Sequence, residues 1–199
     1  MPPDPADLSL NEVATLSAKA ARGAGLTWGA AEDTSRSAAW LARHLGAWAE
    51  QLLALLEIPP PAGQSPLMLA GPLADGAVTE AAHVAAPIWV APLFLLGPGR
   101  CNPVSLRLGT AEIQANPGEI PSASLPASAL ASLPPGDVSL RRSATRLAPL
   151  AHALPARFRR SPVALSALAR LEALAALTYV PASDESRLRG AGAGLLDDE

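Results

Sequence analysis

Proline is the feature that most limits what this chain can fold into. The 199 residues include 21 prolines, about twice the average usage. Each proline removes a backbone donor, so this density predicts that the middle of the chain is divided into short elements. Apolar residues make up 49% and charged residues 17%, which predicts a globular rather than a disordered chain. Aromatic residues are only 4%, so alanine and leucine must build most of the core.

Size and charge exclude several classes of protein. A chain of 199 residues fits one domain, or one domain with a small appendage. The net charge of −3 argues against a general nucleic-acid-binding protein. A single cysteine, Cys101, excludes an internal disulfide, and the acidic, proline-rich start MPPDPADLSL is unlike a secretory signal. The most apolar stretch, VAAPIWVAPLFLL, contains Pro87 and Pro92 and is shorter than the roughly 20 residues that a membrane span needs. We therefore expect a cytoplasmic protein that binds neither membrane nor nucleic acid.

The first sixty residues have the pattern of helices. After a proline-rich lead, residues 1–7, which we expect to be mobile, Ser9 and Glu12 have the spacing of a capping box. The helix they begin is expected to end at Gly23, because glycine adopts positive φ without penalty. Thr27 can cap a second helix that starts at Trp28. Residues 47–57 predict a third helix, and IPPPAGQSP predicts a linker.

The rest of the chain predicts an α+β domain. LMLA, IWV and LFLL, between residues 67 and 96, indicate short buried strands, and residues 104–115 predict a β-hairpin that turns at Gly109 and Thr110. Residues 121–137 predict one helical turn. Ser161 followed by Pro162 indicates the start of a long C-terminal helix over residues 163–178, packed on the sheet. A single domain over residues 8–189 would contain a helical part (8–57), a strand-rich part (67–140) and an arginine-rich segment with its helix (141–180), followed by a tail (190–199).

No complete catalytic or metal-binding motif is present. The potential zinc ligands His44, His83, His152 and Cys101 do not have the close spacing of a zinc site, so no metal is predicted. There is no Walker loop and no G-x-S-x-G elbow, and no cofactor is indicated. The arginine-rich stretch can line a pocket for an acidic substrate, form a solvated face, or pair with the nine acids of the first hundred residues; its members are Arg141, Arg142, Arg146, Arg157, Arg159 and Arg160. The tryptophans are expected to be core anchors: Trp28, Trp40, Trp48 and Trp89.

The glycine-rich end is the remaining candidate site. Gly190, Gly192 and Gly194 follow Arg187 and Arg189. Only LLDDE follows Gly194, so we expect no dinucleotide-binding fingerprint, which needs a helix after its glycines. Exposed backbone amides with nearby arginine can instead bind an anion. The alternative is a mobile, soluble terminus.

Two stretches carry a resemblance to a known family. LSLNEVATLSAKAARGAGLTWGAAEDTSRSAAWLARHL and TYVPASDESRLRGAGAGLLDDE resemble an uncharacterised bacterial family, domain of unknown function 3726. The second stretch departs from the family pattern at Leu196, where the family tends to have threonine, and at Glu199. The resemblance implies an intracellular bacterial protein whose ending is a signature, and it brings no established activity. The positions that match in the ending are Tyr179, Pro181, Ser186, Arg187, Gly190, Gly192, Gly194 and Asp197.

A second resemblance covers the first sixty residues. A short helix, an A-G break and a long alanine-rich helix look like the start of the malate/L-lactate dehydrogenase family. The Gly-His segment and the longer catalytic domain of that family are missing here. The likeness therefore implies a way of packing helices and no catalysis.

Three functional hypotheses follow. The leading one is a small accessory or binding protein whose ligand-binding residues dock an anionic ligand or a partner chain: Ser186, Arg187, Gly190, Gly192 and Gly194. The second is an enzyme acting on a small organic acid, in which Tyr179 or Asp184 transfers a proton and Arg187 holds the carboxylate, in one cleft with His152 or another base. The third is a tail that acts as an oligomerisation clasp.

Overall fold

The computed structural model describes residues 5–96 and 102–178. It begins with strand β1 (Ala6–Ser9), followed by helices α1 (Leu10–Gly23), α2 (Trp28–His44) and α3 (Ala49–Glu57). Ala6 and Asp7, which the sequence assigned to a mobile lead, therefore belong to a strand. The sequence predicted these helices closely, and only α3 starts two residues later than expected.

Two side-chain caps set where α1 and α2 begin. The Ser9 amide donates to Glu12 Oε2 at 2.7 Å, and the Glu12 amide donates to Ser9 Oγ at 3.2 Å, which confirms the capping box. The bonds to Ser9 also lower the pKa of the Glu12 carboxyl. Thr27 Oγ1 accepts from the Ala30 amide at 3.3 Å, so the predicted cap of α2 is confirmed as well.

The apolar runs between residues 66 and 96 are helical, and their prediction as strands is wrong. LMLA lies in α4 (Pro66–Ala74), IWV in a 3-10 turn (Pro87–Val90) and LFLL in α5 (Ala91–Leu96). Pro66 and Pro87 occupy first-turn positions, where a missing amide costs nothing. These prolines start helices instead of ending strands.

Six strands of the described residues form one antiparallel sheet: β2 (Glu80–Val84), β3 (Val104–Leu108), β4 (Ala111–Ala115), β5 (Ser122–Ala123), β6 (Gly136–Arg142) and β7 (His152–Ala153). Their order across the sheet is β2-β6-β3-β4-β5-β7. The predicted hairpin is confirmed, with Gly109 at φ +59 in its turn. Helix α6 (Ala127–Leu130) is the single turn expected between residues 121 and 137. The fold is α+β.

Ser161 and Pro162 do not start a helix, so that prediction is wrong. They lie in β8 (Arg160–Val163), which pairs antiparallel with β1. Ser161 is fully buried, and its Oγ accepts from the Trp48 indole Nε1 at 3.0 Å. The Ser161 hydroxyl therefore bonds to a core side chain and does not cap a helix.

The last described helix, α7 (Leu165–Ala176), has 12 residues. It is not the long helix that the sequence predicted, and it packs against α1 and α3 rather than on the sheet. The contact with α1 is close at Gly23, where an alanine Cβ would lie 1.8 Å from the Leu174 carbonyl oxygen. Gly23 ends α1 as predicted, but the positive φ belongs to Gly25, at +92.

The core lies between the helices and one face of the sheet. Trp40, Trp48 and Trp89 are buried, as expected of core anchors. Trp89 Nε1 donates to Gln51 Oε1 at 2.9 Å, and the Gln51 amide donates to the Ala131 carbonyl. Of the helices in the described residues, none is long and apolar enough to cross a membrane.

His44 makes the stability of this core depend on pH. Its ring stacks on Trp40 with centroids 4.5 Å apart, and its Nδ1 lies 3.0 Å from the Leu154 carbonyl oxygen. Burial lowers the pKa of His44, and hydrogen bonding to Leu154 opposes that effect. The unfolded chain therefore takes up a proton at a higher pH than the folded chain does. This contribution to stability is present above the unfolded pKa of about 6.5 and is lost as the pH falls below it.

We expect His44→Phe, which keeps an aromatic ring and removes the titration, to flatten the pH dependence of unfolding. The measurement is urea unfolding at several values between about pH 7.5 and 5.5. His152→Gln, at an exposed position in β7, is the matched control and should follow the wild type. An unchanged slope in His44→Phe would contradict this origin of the pH dependence.

Candidate functional site

A cleft of about 500 Å³ lies between α1 and α2 and is bounded by Thr178, the second residue after α7. We call it the Trp28 cleft. Its volume is within the range of small-molecule sites, about 300–1,000 Å³. The residues that line it are Ala18, Lys19, Arg22, Trp28, Ala31, Glu32, Ser35 and Thr178.

The turn between α1 and α2 explains why Trp28 is exposed. The Gly25 amide donates to the Arg22 carbonyl at 2.9 Å and the Leu26 amide to the Ala21 carbonyl at 3.0 Å, which is the Schellman pattern with glycine at the left-handed position. Two residues later Thr27 caps α2, so Trp28 becomes the first helical residue. A side chain at that place projects from the end of the helix pair, and Trp28 is 76% exposed.

Arg22 holds the indole of Trp28 in place. Its guanidinium lies 4.4 Å from the centroid of the Trp28 ring, within the range of a cation–π interaction. Its Nη1 also donates to the Leu26 carbonyl oxygen. The cation is thus fixed between the turn and the ring, and it adds positive charge to the wall of the cleft.

The close approach of α7 to α1 places Thr178 at the cleft. Gly23 permits this approach because it has no Cβ to meet Leu174. Leu177, which is 70% exposed, lies beside Gly23. Thr178 Oγ1 donates to the Ala175 carbonyl at 2.7 Å. The turn that follows α7 therefore adds a hydroxyl and an exposed apolar side chain to this corner.

The chemistry of the Trp28 cleft suits an apolar or aromatic body with a negative charge. Trp28 and the alanines supply apolar surface, and Lys19 and Arg22 supply cations. The acid in the wall, Glu32, bonds to Arg36 at 2.5 Å, so its charge is compensated within α2.

The predicted site residues lie outside the described residues. Thr178 is the last described residue. The residues concerned are Tyr179, Asp184, Ser186, Arg187, Gly190, Gly192 and Gly194. His152, suggested as a base, lies at an edge of the six-stranded sheet and does not line the Trp28 cleft.

Much of the arginine-rich stretch makes structural contacts. Arg146 pairs with Glu119 at 2.7 Å and Arg160 with Asp7 at 2.6 Å. Arg142 donates to the Ala74 carbonyl at 2.8 Å. The pairing expected with acids of the first hundred residues is confirmed for Arg160, whereas the acid that pairs with Arg146 lies outside that range. Within residues 5–96 and 102–178, no group of three or more His, Cys, Asp or Glu side chains can hold a metal ion.

Comparison with protein families identifies the segment that forms most of the Trp28 cleft. Residues 8–66 match the family described as Protein of unknown function (DUF3726). We call this stretch the DUF3726 segment. The match confirms the resemblance drawn from LSLNEV and the residues after it. No curated protein and no solved structure matches the chain.

The DUF3726 segment contains α1, α2 and α3. Every residue that lines the Trp28 cleft belongs to this segment except Thr178. Thr178 is the first residue of TYVPASDESRLRGAGAGLLDDE, the other stretch that carries the resemblance. The one described residue of the second stretch therefore lies beside residues of the first stretch.

Trp28 is the candidate site residue that the sequence did not identify. It was expected in the core with the other tryptophans, and it is exposed instead. The sequence contains a signal for this position, because Gly25 before a capping threonine indicates a tight turn and places Trp28 at the start of a helix.

Proposed function

We propose that this protein is a small cytoplasmic accessory or binding protein, and that the Trp28 cleft is its ligand site. In this proposal the C-terminal signature, with Ser186, Arg187 and the glycines after them, completes the site. The ligand is a small molecule with a planar or apolar body and an anionic group. The cytoplasmic setting rests on composition, since a single cysteine does not suit a disulfide-stabilised secreted protein.

The observation that supports the proposal is that Thr178, the first residue of the second family-like stretch, lies at the Trp28 cleft, whose other lining residues belong to the first stretch. The two stretches are more than 130 residues apart in the chain, yet Arg22, Trp28 and Thr178 line the same cavity. Packing of the core does not require this exposure of Trp28. An exposed indole beside a fixed cation is a surface on which a planar ligand can stack.

Charge favours an anionic ligand. Arg22 is held over Trp28 and presents a guanidinium that can fork onto a carboxylate or phosphate. The signature adds Arg187 and Arg189 at a distance of 9 to 11 residues from Thr178 along the chain. A ligand that reaches both would be bound by residues from the two ends of the sequence.

A thermal-shift measurement on the full chain tests the proposal. The probes are indole-3-acetate, benzoate, AMP and inorganic phosphate. We expect at least one planar anion to raise Tm, because a ligand that binds only the folded state stabilises it by mass action. The rise should be lost in Trp28→Ala and reduced in Arg187→Ala. Ile120→Ala removes another exposed apolar side chain, away from the cleft, and should retain the full rise.

Different results contradict different parts of the proposal. If the ligand raises Tm equally in Trp28→Ala and in the wild type, the Trp28 cleft is not the ligand site. The rise in Tm could instead depend on Trp28 but be unchanged in Arg187→Ala and in Gly192→Val, a second variant in the C-terminal signature. That result would show that the signature is not part of the ligand site. If none of the four probes shifts Tm, the proposed class of ligand is wrong.

A further inference from the structure

A second cleft lies on the polar face of the six-stranded sheet, outside the DUF3726 segment. Its volume is about 620 Å³, and we call it the sheet cleft. The strand register places Glu80 opposite Ser139, and Ser139 opposite Arg107, in one row across β2, β6 and β3. The residues that line the sheet cleft are Glu80, Ala81, Ala82, Arg107, Gly109, Asp137, Val138 and Ser139.

Charges of both signs face the sheet cleft without pairing to each other. Among the described residues, Arg107, Glu80 and Asp137 make no ion pair within 4.0 Å. Glu80 and Arg107 lie two strands apart, which separates their backbones by about 10 Å. All three side chains belong to exposed residues. The cleft therefore has a positive side and a negative side.

The neighbouring acid, Glu112, does not form an ion pair with Arg107. Glu112 lies directly opposite Arg107 on β4, but its carboxylate accepts from Ser105 Oγ at 2.6 Å and from Gln114 Nε2 at 2.8 Å. The bonds from Ser105 and Gln114, with a smaller contribution from Arg107, lower the pKa of Glu112. Both neutral donors bind Glu112 Oε1, and Arg107 makes no ion pair with Glu112 within 4.0 Å, so the guanidinium lines the sheet cleft unpaired.

Bare backbone forms one end of the sheet cleft. The β3–β4 turn approaches the start of β6 so closely that a Cβ on Gly136 would lie 3.0 Å from Gly109 Cα. The Gly109 amide donates to the Asp137 carbonyl at 2.7 Å. Because Gly109 and Gly136 have no side chains, the two backbones approach closely here, and no side chain lies between them at this end of the cleft.

The edge strand is bent beside the same acids. The pairing of β2 with β6 shifts between Ala81 and Val84, and His83 in this bulge has φ +51. The His83 amide donates to Asp137 Oδ1 at 3.0 Å. Bulges redirect strands next to binding sites, and a non-glycine residue at positive φ is strained, as is common at such sites. Asp137 holds the strained residue through one oxygen, and its second oxygen makes no hydrogen bond to the described residues.

We propose that the sheet cleft binds a small zwitterion of the amino-acid class. Its carboxylate is bound by the fork of the Arg107 guanidinium, with the Ser139 hydroxyl in the same row. Its ammonium group lies between Glu80 and Asp137 and offsets the repulsion between these two carboxylates. The exposed Ala82 leaves the side-chain end of the ligand beside a small apolar group, whereas Ala81 and Val138 pack against the core; a small, neutral side chain is therefore favoured.

Isothermal titration calorimetry on the full chain tests this proposal with L-alanine. N-acetyl-L-alanine keeps only the carboxylate, and L-alaninamide keeps only the ammonium group. We expect L-alanine to bind, and each of the two derivatives to bind about tenfold more weakly or worse, because each loses one charge-assisted contact. Equal binding of L-alanine and N-acetyl-L-alanine would overturn the proposal, as would no heat with L-alanine.

Variants locate the binding. Arg107→Gln, Glu80→Gln and Asp137→Asn should each weaken binding of L-alanine by about tenfold or more. Arg141→Gln is the matched control, since Arg141 is exposed on the same face of β6 but does not line the cleft. Its affinity should equal that of the wild type. Arg107→Lys keeps the positive charge but cannot bind a carboxylate through two parallel hydrogen bonds, so it should bind L-alanine more weakly than the wild type. This variant provides the test if Arg107→Gln does not fold. Wild-type affinity in Arg107→Lys and Glu80→Gln would place the ligand elsewhere.

Discussion

Gly23→Ala should lower the free energy of unfolding by about 3 kcal/mol, because the added methyl group has no space. Its Cβ would lie 1.8 Å from the carbonyl oxygen of Leu174 and 2.7 Å from the carbonyl carbon. Both atoms belong to the backbone of α7, so no side-chain rotation can relieve the contact. The helices α1 and α7 would have to separate, and the surface buried between them would be exposed in part. Urea unfolding of the variant measures the loss.

Gly29→Ala is the matched control for Gly23→Ala. Gly29 is also a helical glycine, in the first turn of α2, and a Cβ there meets nothing within 4 Å. Alanine is a better helix former than glycine by about 1 kcal/mol at most, so this variant should be as stable as the wild type or slightly more stable. If Gly23→Ala and Gly29→Ala unfold at the same urea concentration, α1 and α7 are not in the contact described.

Trp48→Ala should cost about 3–5 kcal/mol of stability, the range for removal of a large buried aromatic side chain. Trp48 precedes α3 and is 2% exposed. Its indole is buried and also bonded, through Nε1, to Ser161 Oγ in β8. The side chain therefore joins the helical part of the chain to the β1–β8 pair. Trp28→Ala, at an exposed tryptophan, should change stability by only about 0.5 kcal/mol.

A double-mutant cycle separates the hydrogen bond of Trp48 from its packing. Ser161→Ala leaves the indole N–H buried without an acceptor, which costs about 1–3 kcal/mol. Trp48→Phe removes the donor and keeps most of the ring. The double variant should lose less stability than the sum of the two single variants, because the two groups contact each other. Additive losses would show that the bond between Trp48 and Ser161 contributes nothing to stability.

The elements that the sequence predicted well are those with local signals. Ser9, Glu12 and Thr27 begin their helices through bonds to residues three positions away, so the signal and the structure lie in the same few residues. The β3–β4 hairpin likewise turns at Gly109, whose positive φ suits a two-residue turn. These features do not depend on the rest of the chain.

The errors arise where distant residues decide the structure. LMLA and LFLL are too short to show a period, and a short apolar run fits a buried helix as well as a strand. Ser161 and Pro162 have the local pattern of a helix start, yet β1 pairs with them and Trp48 bonds to Ser161. Neither partner can be identified from the residues around position 161.

The two clefts were not predictable for the same reason. The Trp28 cleft needs α7 to approach Gly23, and the sheet cleft needs β2, β6 and β3 to be neighbours although they are distant in the chain. In the sequence, Arg107, Glu80 and Asp137 are isolated charges on three different strands. Only the register of the sheet brings them to one surface.

The pairing of the two ends of the described chain has a consequence for its synthesis. Arg160 bonds to Asp7 across 153 positions of sequence, and β1 and α1 pack on β8 and α7. Translation at about 5–20 residues per second leaves the first helix without these partners for roughly 8–30 s. During that time Leu8, Leu10 and Leu16, which pack against the core in the finished fold, lack the β8 and α7 residues that pack on this part of the chain. The DUF3726 segment therefore completes its packing only after β8 and α7 have been synthesised.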